Sequence, residues 1–141
     1  MRRAGAPLLA GLALLAGCGG DGNGDEARIR LVVPDNNIRE EGVECAGARP
    51  FRQIHRGTPY SILDADGEVV AEGELPAGRA ENADPSVDWE SDRFPTVCVL
   101  ELDVELPERP RYRLVLPESA PLEFDAALLE GDAPVQLVLR G

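Results

Sequence analysis

Few side chains in this 141-residue chain could do chemistry, so each can be weighed in turn. His55, between Ile54 and Arg56, is the single histidine. A nucleophile needs a base in hydrogen-bond reach. No Gly-x-Ser-x-Gly elbow surrounds any serine, and no lysine exists to form a Ser–Lys dyad. A small hydrolase would therefore have to use His55, which reads better as a surface or packing residue. Paired carboxylates for glycoside cleavage are easy to find in so acidic a chain. The aromatics are only Phe51, Tyr60, Trp89, Phe94, Tyr112 and Phe124, too few for a sugar-stacking stripe. The expectation is that the chain is not an enzyme and has no catalytic residue.

Metal chemistry has two candidate sets. The first is the acidic run Glu81 to Asp92, in which Glu81, Asp84, Asp88, Glu90 and Asp92 stand in what reads as an inter-strand loop. Calcium takes six to eight oxygen ligands, and extracellular sites bind it weakly. Asp84, Asp88, Glu90 and Asp92 are the candidate ligands, although the order lacks the glycine and the spaced glutamate of an EF-hand. The plainer reading is a solvated acidic loop, with Trp89 plugging the core rather than anchoring a partner. The second set is Cys45, Cys98 and His55, which lacks both CxxC and HxxxH spacing.

The N-terminus points to an address. Arg2 and Arg3 precede the apolar run Pro7 to Ala16, and Leu15-Ala16-Gly17-Cys18 follows. About ten apolar residues are too few to span a bilayer as a helix, and they fit the core of a signal peptide. The segment resembles the lipobox of bacterial lipoproteins: a branched apolar residue, two small residues, then cysteine. That resemblance implies cleavage before Cys18, a diacylglycerol on its thiol, and anchoring on the outer face of a membrane, or of an outer membrane if the host has one. Two acyl chains suffice for stable anchoring. The flanking pattern of a twin-arginine signal is missing, and Gly19 is not the aspartate that retains many such proteins at the inner membrane.

Three segments follow: a signal peptide at 1–17, a lipidated cysteine and flexible tether at 18–26, and one domain at 27–141. Residues 19–26 read Gly-Gly-Asp-Gly-Asn-Gly-Asp-Glu, with nothing apolar to bury. Losing Arg2 and Arg3 leaves 12 basic against 26 acidic residues, a formal charge of −14. That balance argues against nucleic acid, whose phosphates need basic clusters, and against lying flat on anionic lipid. In an exported domain, Cys45 and Cys98 most simply form one disulfide.

The domain reads as strands. From Thr96 to Leu106, residues 98, 100, 102, 104 and 106 are apolar and alternate with Val99, Glu101, Asp103 and Glu105. Period two with one charged face means a strand buried on one side. Arg111 to Leu116 resumes the alternation after Pro107 to Pro110. A hairpin is expected here, with Arg111 and Arg113 facing Glu105 and Asp103. A second hairpin turns through Asp64-Ala65-Asp66-Gly67, where glycine supplies positive φ. After it, Val69, Ala71, Gly73 and Leu75 are expected on one face. Ile29 to Val33 (ended by Pro34), Leu122 to Phe124 and Val135 to Leu139 complete the set, and Ala126 to Glu130 reads as one helical turn. About seven short strands with proline and glycine punctuation indicate an all-β, antiparallel β-sandwich, in which the disulfide could join the two sheets.

Cys45, the stretch Gly57 to Ile62, the turn Asp64 to Ala71 and Val97-Cys98-Val99 together look like a group of uncharacterised actinobacterial lipoproteins. Their exported domains resemble immunoglobulin-like or transthyretin-like sandwiches. The resemblance covers roughly Cys45 to Leu116 and implies fold and location, with no catalytic residue carried over. The functional expectation is a non-enzymatic, lipid-anchored module binding an unidentified protein or cell-envelope component through loops at one end. A calcium-stabilised adhesive domain is the alternative.

Overall fold

The computed structural model describes residues 24–141. The expected signal peptide, Cys18 and the start of the tether lie outside the described residues. Two sheets face each other as an all-β sandwich. The strands are β1 (Gly24–Glu40), β2 (Glu44–Cys45), β3 (Pro59–Asp64), β4 (Val69–Glu74), β5 (Gly78–Asn82), β6 (Arg93–Pro107), β7 (Arg111–Val115), β8 (Leu122–Asp125) and β9 (Val135–Val138). One sheet runs β2-β5-β6-β1-β9 and the other β4-β3-β7-β8. A single 3₁₀ turn, Ala126–Leu129, follows β8.

Strands β1 and β6 form the spine of the five-stranded sheet. They pair antiparallel from Gly24↔Pro107 to Glu40↔Arg93. Their inner faces bury Ala27, Ile29, Leu31 and Val33 of β1 and Leu100, Leu102 and Val104 of β6 in one core with Tyr112, Leu114 and Phe124 of the other sheet. The Tyr112 and Phe124 rings stack with centroids 5.3 Å apart. Fully burying one such aliphatic side chain contributes about 1.5–3 kcal/mol, which is why the alternation survives in the structure.

Strand β1 is far longer than the expected Ile29–Val33. Gly24, Asp25 and Glu26, read as tether, pair with Pro107, Leu106 and Glu105. Backbone pairing orders them, although they have no apolar side chain to bury. Pro34 does not end the strand either: the register slips between Pro34↔Val97 and Asn37↔Thr96, and Asn36 takes a φ of 52°. The slip is an enlarged β-bulge, which lets the strand bend and continue. Its last paired residue is Glu40.

The expected β6–β7 hairpin does not form. Strand β6 pairs with β1 and β5, whereas β7 pairs with β3 and β8 in the opposite sheet. The chain between them is an arch across the sandwich. Its brace is Tyr112, whose hydroxyl donates to Pro107 O at 2.7 Å and accepts from Arg109 N–H at 3.0 Å. This has the hydrogen-bond form of the tyrosine corner of immunoglobulin-type sandwiches. Arg111 and Arg113 therefore meet Asp125 and Glu123 of β8, not Asp103 and Glu105. Proline at 107 and 110 lacks the N–H groups a tight two-stranded ladder would use.

The β3–β4 hairpin forms as expected, with Gly67 at φ 82°. Asp64 caps the turn by accepting from the N–H groups of Asp66 and Glu68, and Arg109 Nε donates to it at 3.1 Å. A bulge between Ile62 and Leu63 shifts the register. Val69 consequently points to solvent, and Val70 joins Ala71 against the core instead. Strand β9 lies parallel to β1, so the larger sheet is mixed rather than purely antiparallel.

Cys45 and Cys98 have their sulfurs at bonding distance, 2.08 Å, with Cα atoms 5.7 Å apart. They do not join the two sheets, because β2 and β6 belong to the same one. Both flank β5, where Cys45 pairs with Gly78 and Cys98 with Ala80. A Cβ on Gly78 would collide with Cys98 Sγ and approach Cys45 O to 2.8 Å. Glycine at 78 is thus what lets the two sulfurs meet over β5.

Candidate functional site

The outer face of the five-stranded sheet changes character along its length. Near Gly24 it is charged: Arg30 of β1 binds Glu81 of β5 and Glu101 of β6 across the strands. The hydrogen bonds that Arg30 donates to Glu81 are the main reason its guanidinium is held above its ordinary pKa. From Val32 onward the β1, β6 and β9 positions of the same face turn apolar, while β5 keeps Arg79 and Glu81 beside Val99 and Val97. Cross-strand neighbours there are Val32↔Val99, Pro34↔Val97 and Ile38↔Pro95, with Val138 of β9 beside Val32. A sheet face opposite the core is normally solvated and polar.

These residues line an open groove of about 400 Å³ on the half of the sheet away from Gly24. Its walls include Val32, Pro34, Ile38, Pro95, Val97 and Val138, and Ala83 closes one side. Its floor is the bulge. Asp35, 6% exposed, accepts from Thr96 Oγ1 at 2.6 Å and from Arg39 Nε at 2.9 Å. Thr96 is also buried. A buried carboxylate is tolerated only when paired and hydrogen-bonded, and here the pairing ties β6 to both ends of the bulge. Pro34 O is taken by Ala48 N–H at 2.8 Å, which pins the Ala46–Gly57 loop beside it.

Exposed large apolar side chains concentrate in this half. Among the described residues they are Ile38, Val43, Val69, Val87, Trp89, Leu128 and Val138. Only Val69 and Leu128 stand towards the other end, near the Arg109 and Arg111 ion pairs. Ile38 is 56% exposed and forms the outer lip of the groove.

Glu81 belongs to β5, paired with Arg30, and not to the loop. Asp84 accepts from the N–H and hydroxyl of Ser86, and Asp88 accepts from Glu90 N–H, so both carboxylates cap local turns. Among the described residues, no three His, Cys, Asp or Glu side chains come together as a metal-ligand group, so Asp84, Asp88, Glu90 and Asp92 are not gathered around a common centre. Trp89 is no core plug. It is 36% exposed and donates its indole N–H to Asn82 Oδ1 at 3.2 Å, in the ten-residue segment Ala83–Asp92, none of whose residues is buried. His55 is exposed, with Nδ1 2.8 Å from Arg56 O; it lies on the same surface depression as Cys45, but the Cys45 and Cys98 sulfurs are bonded to each other.

The groove was not foreseen from sequence. Its signal was available in part: Val32, Pro34, Pro95 and Val97 occupy outward positions of strands that carry Arg28, Arg30, Glu101, Asp103 and Glu105 at other outward positions. Compared with protein-family models, with curated proteins and with solved structures, the chain matches none.

Proposed function

We propose that this is a non-enzymatic, lipid-anchored extracytoplasmic module that binds a protein or envelope component through the apolar groove at Ile38. The observation that carries the reading is position. The expected anchor, Cys18, precedes β1, and the groove lies at the other end of that strand. Fourteen residues separate Gly24 from Ile38, roughly 45 Å at ~3.3 Å per residue. An apolar surface of this kind marks an interaction site when it is contiguous, and here it would be presented away from the membrane. Shape supports it too, since the braced bulge holds the groove open without a ligand.

The test is photo-crosslinking in intact cells. A photoreactive residue replaces Ile38, and in a control it replaces Leu128, exposed at the anchored end. Adducts from position 38 and none from 128 are the expected result. Adducts from 128 alone overturn the assignment of the surface. Fractionation of the Cys18→Ala chain tests the anchor: it is expected to leave the membrane pellet.

A further inference from the structure

We infer that the groove takes a basic, apolar peptide segment of a partner protein, its aliphatic side chains seated between Ile38 and Val138 and its Lys or Arg residues facing the acidic loop. This rests on the reading of the groove as a binding surface and adds the chemistry of the occupant.

Charge complementarity chooses that occupant. The segment Ala83 to Asp92 leaves the sheet at the groove wall and re-enters it at Arg93, next to Phe94 and Pro95. It carries Asp84, Asp88, Glu90 and Asp92, all exposed. Glu40 and Glu41, also exposed, close β1 beyond Ile38. None of these six carboxylates forms an ion pair among the described residues. The cations nearby are Arg39, committed to Asp35; Arg79 and Arg93, which donate to the carbonyls of Gly42 and Ile38; and the exposed Arg49 and Arg140, next in sequence to Ala48 and Leu139 on the side of the groove away from the acidic loop. Six acidic groups against Arg79, Arg93, Arg49 and Arg140 leave a local charge of −2 around apolar walls, with the carboxylates gathered on the side of the Ala83–Asp92 segment.

Apolar walls with a net negative rim disfavour the other occupants. Anionic lipid would meet repulsion from the rim. A second copy of the chain would bring the same negative rim to face itself, and like-charge juxtaposition opposes that contact. A basic amphipathic segment satisfies both parts at once. Its binding must then weaken with salt, because exposed charges are screened within about 8 Å at physiological ionic strength.

The experiment uses the mature lipidated chain in detergent and fluorescence anisotropy. The probe is a labelled peptide with a Leu-Ile-Leu core between two runs of three arginines. Otherwise identical peptides carry glutamate or glutamine in place of arginine. The arginine peptide is expected to bind at least about tenfold more tightly than the others, with affinity falling as salt rises. Ile38→Asp, at an exposed position where folding is not at stake, is expected to weaken it about tenfold or more. Val138→Asp serves as a second, independent variant. Neutralising Asp84, Asp88, Glu90 and Asp92 together to Asn or Gln is expected to flatten the salt dependence. Equal binding of the three peptides, or indifference to both apolar variants, overturns the inference. So does a position-38 adduct in cells that joins two copies or a non-basic segment, and in that last case the binding-surface reading stands while the occupant falls.

Discussion

Removing the Cys45–Cys98 link should be the most damaging change that leaves the sheet pairing intact. The two cysteines are 53 residues apart in sequence. For a loop of that length the chain-entropy relation gives about 14 cal/mol/K, or about 4 kcal/mol at 25 °C. Unfolding entropy near the midpoint is about 2.1 cal/mol/K per residue, so for a domain of about 120 residues this loss lowers Tm by about 16 °C. The structure adds a reason for the effect to be felt: β2 is two residues long and pairs only with β5, so the link is its principal attachment to β6. The assay is thermal and urea unfolding of the Cys45→Ala/Cys98→Ala chain beside the oxidised parent, with the parent under reductant as a second measurement that needs no substitution. A loss below about 1 kcal/mol in both would refute the reasoning, because the constraint on the unfolded chain would then not be operating.

Tyr112→Phe removes the hydroxyl that serves Pro107 O and Arg109 N–H, so a loss of about 1–2 kcal/mol is expected in urea unfolding. Thr96→Val deprives the buried Asp35 of its hydroxyl partner; a similar loss of about 1–2 kcal/mol is expected, with no change in sheet content by circular dichroism. Asp64 is raised by burial but lowered more by the N–H groups of Glu68 and Asp66 and by Arg109, for a net fall below the ordinary carboxylate value. Its folded pKa lies under its unfolded one, so its stabilisation is full above about pH 4 and is lost as pH falls through the folded value. Asp64→Asn should accordingly lower Tm at pH 7 and reduce the further loss on acidification below pH 4, as read by melts across that range. Since Asp84 and Asp88 already cap turns, millimolar calcium is expected to move Tm by less than about 1 °C; a larger rise, lost on neutralising the loop, would mark the acidic segment as a calcium site.

Local alternation was legible because it depends only on neighbouring residues. Leu100, Leu102, Val104 and Leu106 announce the buried face of β6, and Val135, Leu137 and Leu139 that of β9 and the residue after it. The turn at Asp64 to Gly67 was legible for a like reason: a capping aspartate and a positive-φ glycine act over four residues. Partner choice was not legible. The alternation of Arg111 to Leu116 fits a ladder with β6 as well as it fits one with β3 and β8, and only the arch held by Tyr112 excludes the first.

The amino-acid order thus determined by itself that the chain is all-β, which side of most strands turns inward, and that Cys45 and Cys98 are the natural pair. Tertiary structure alone decided that β1 runs on through Pro34, that β9 joins it in parallel, and that Val32, Pro34, Ile38, Pro95 and Val97 from β1 and β6 become one surface. The physical reason is range. Side-chain periodicity is set over two residues, whereas a groove exists only when strands distant in sequence lie about 4.8 Å apart and bring their outward residues side by side.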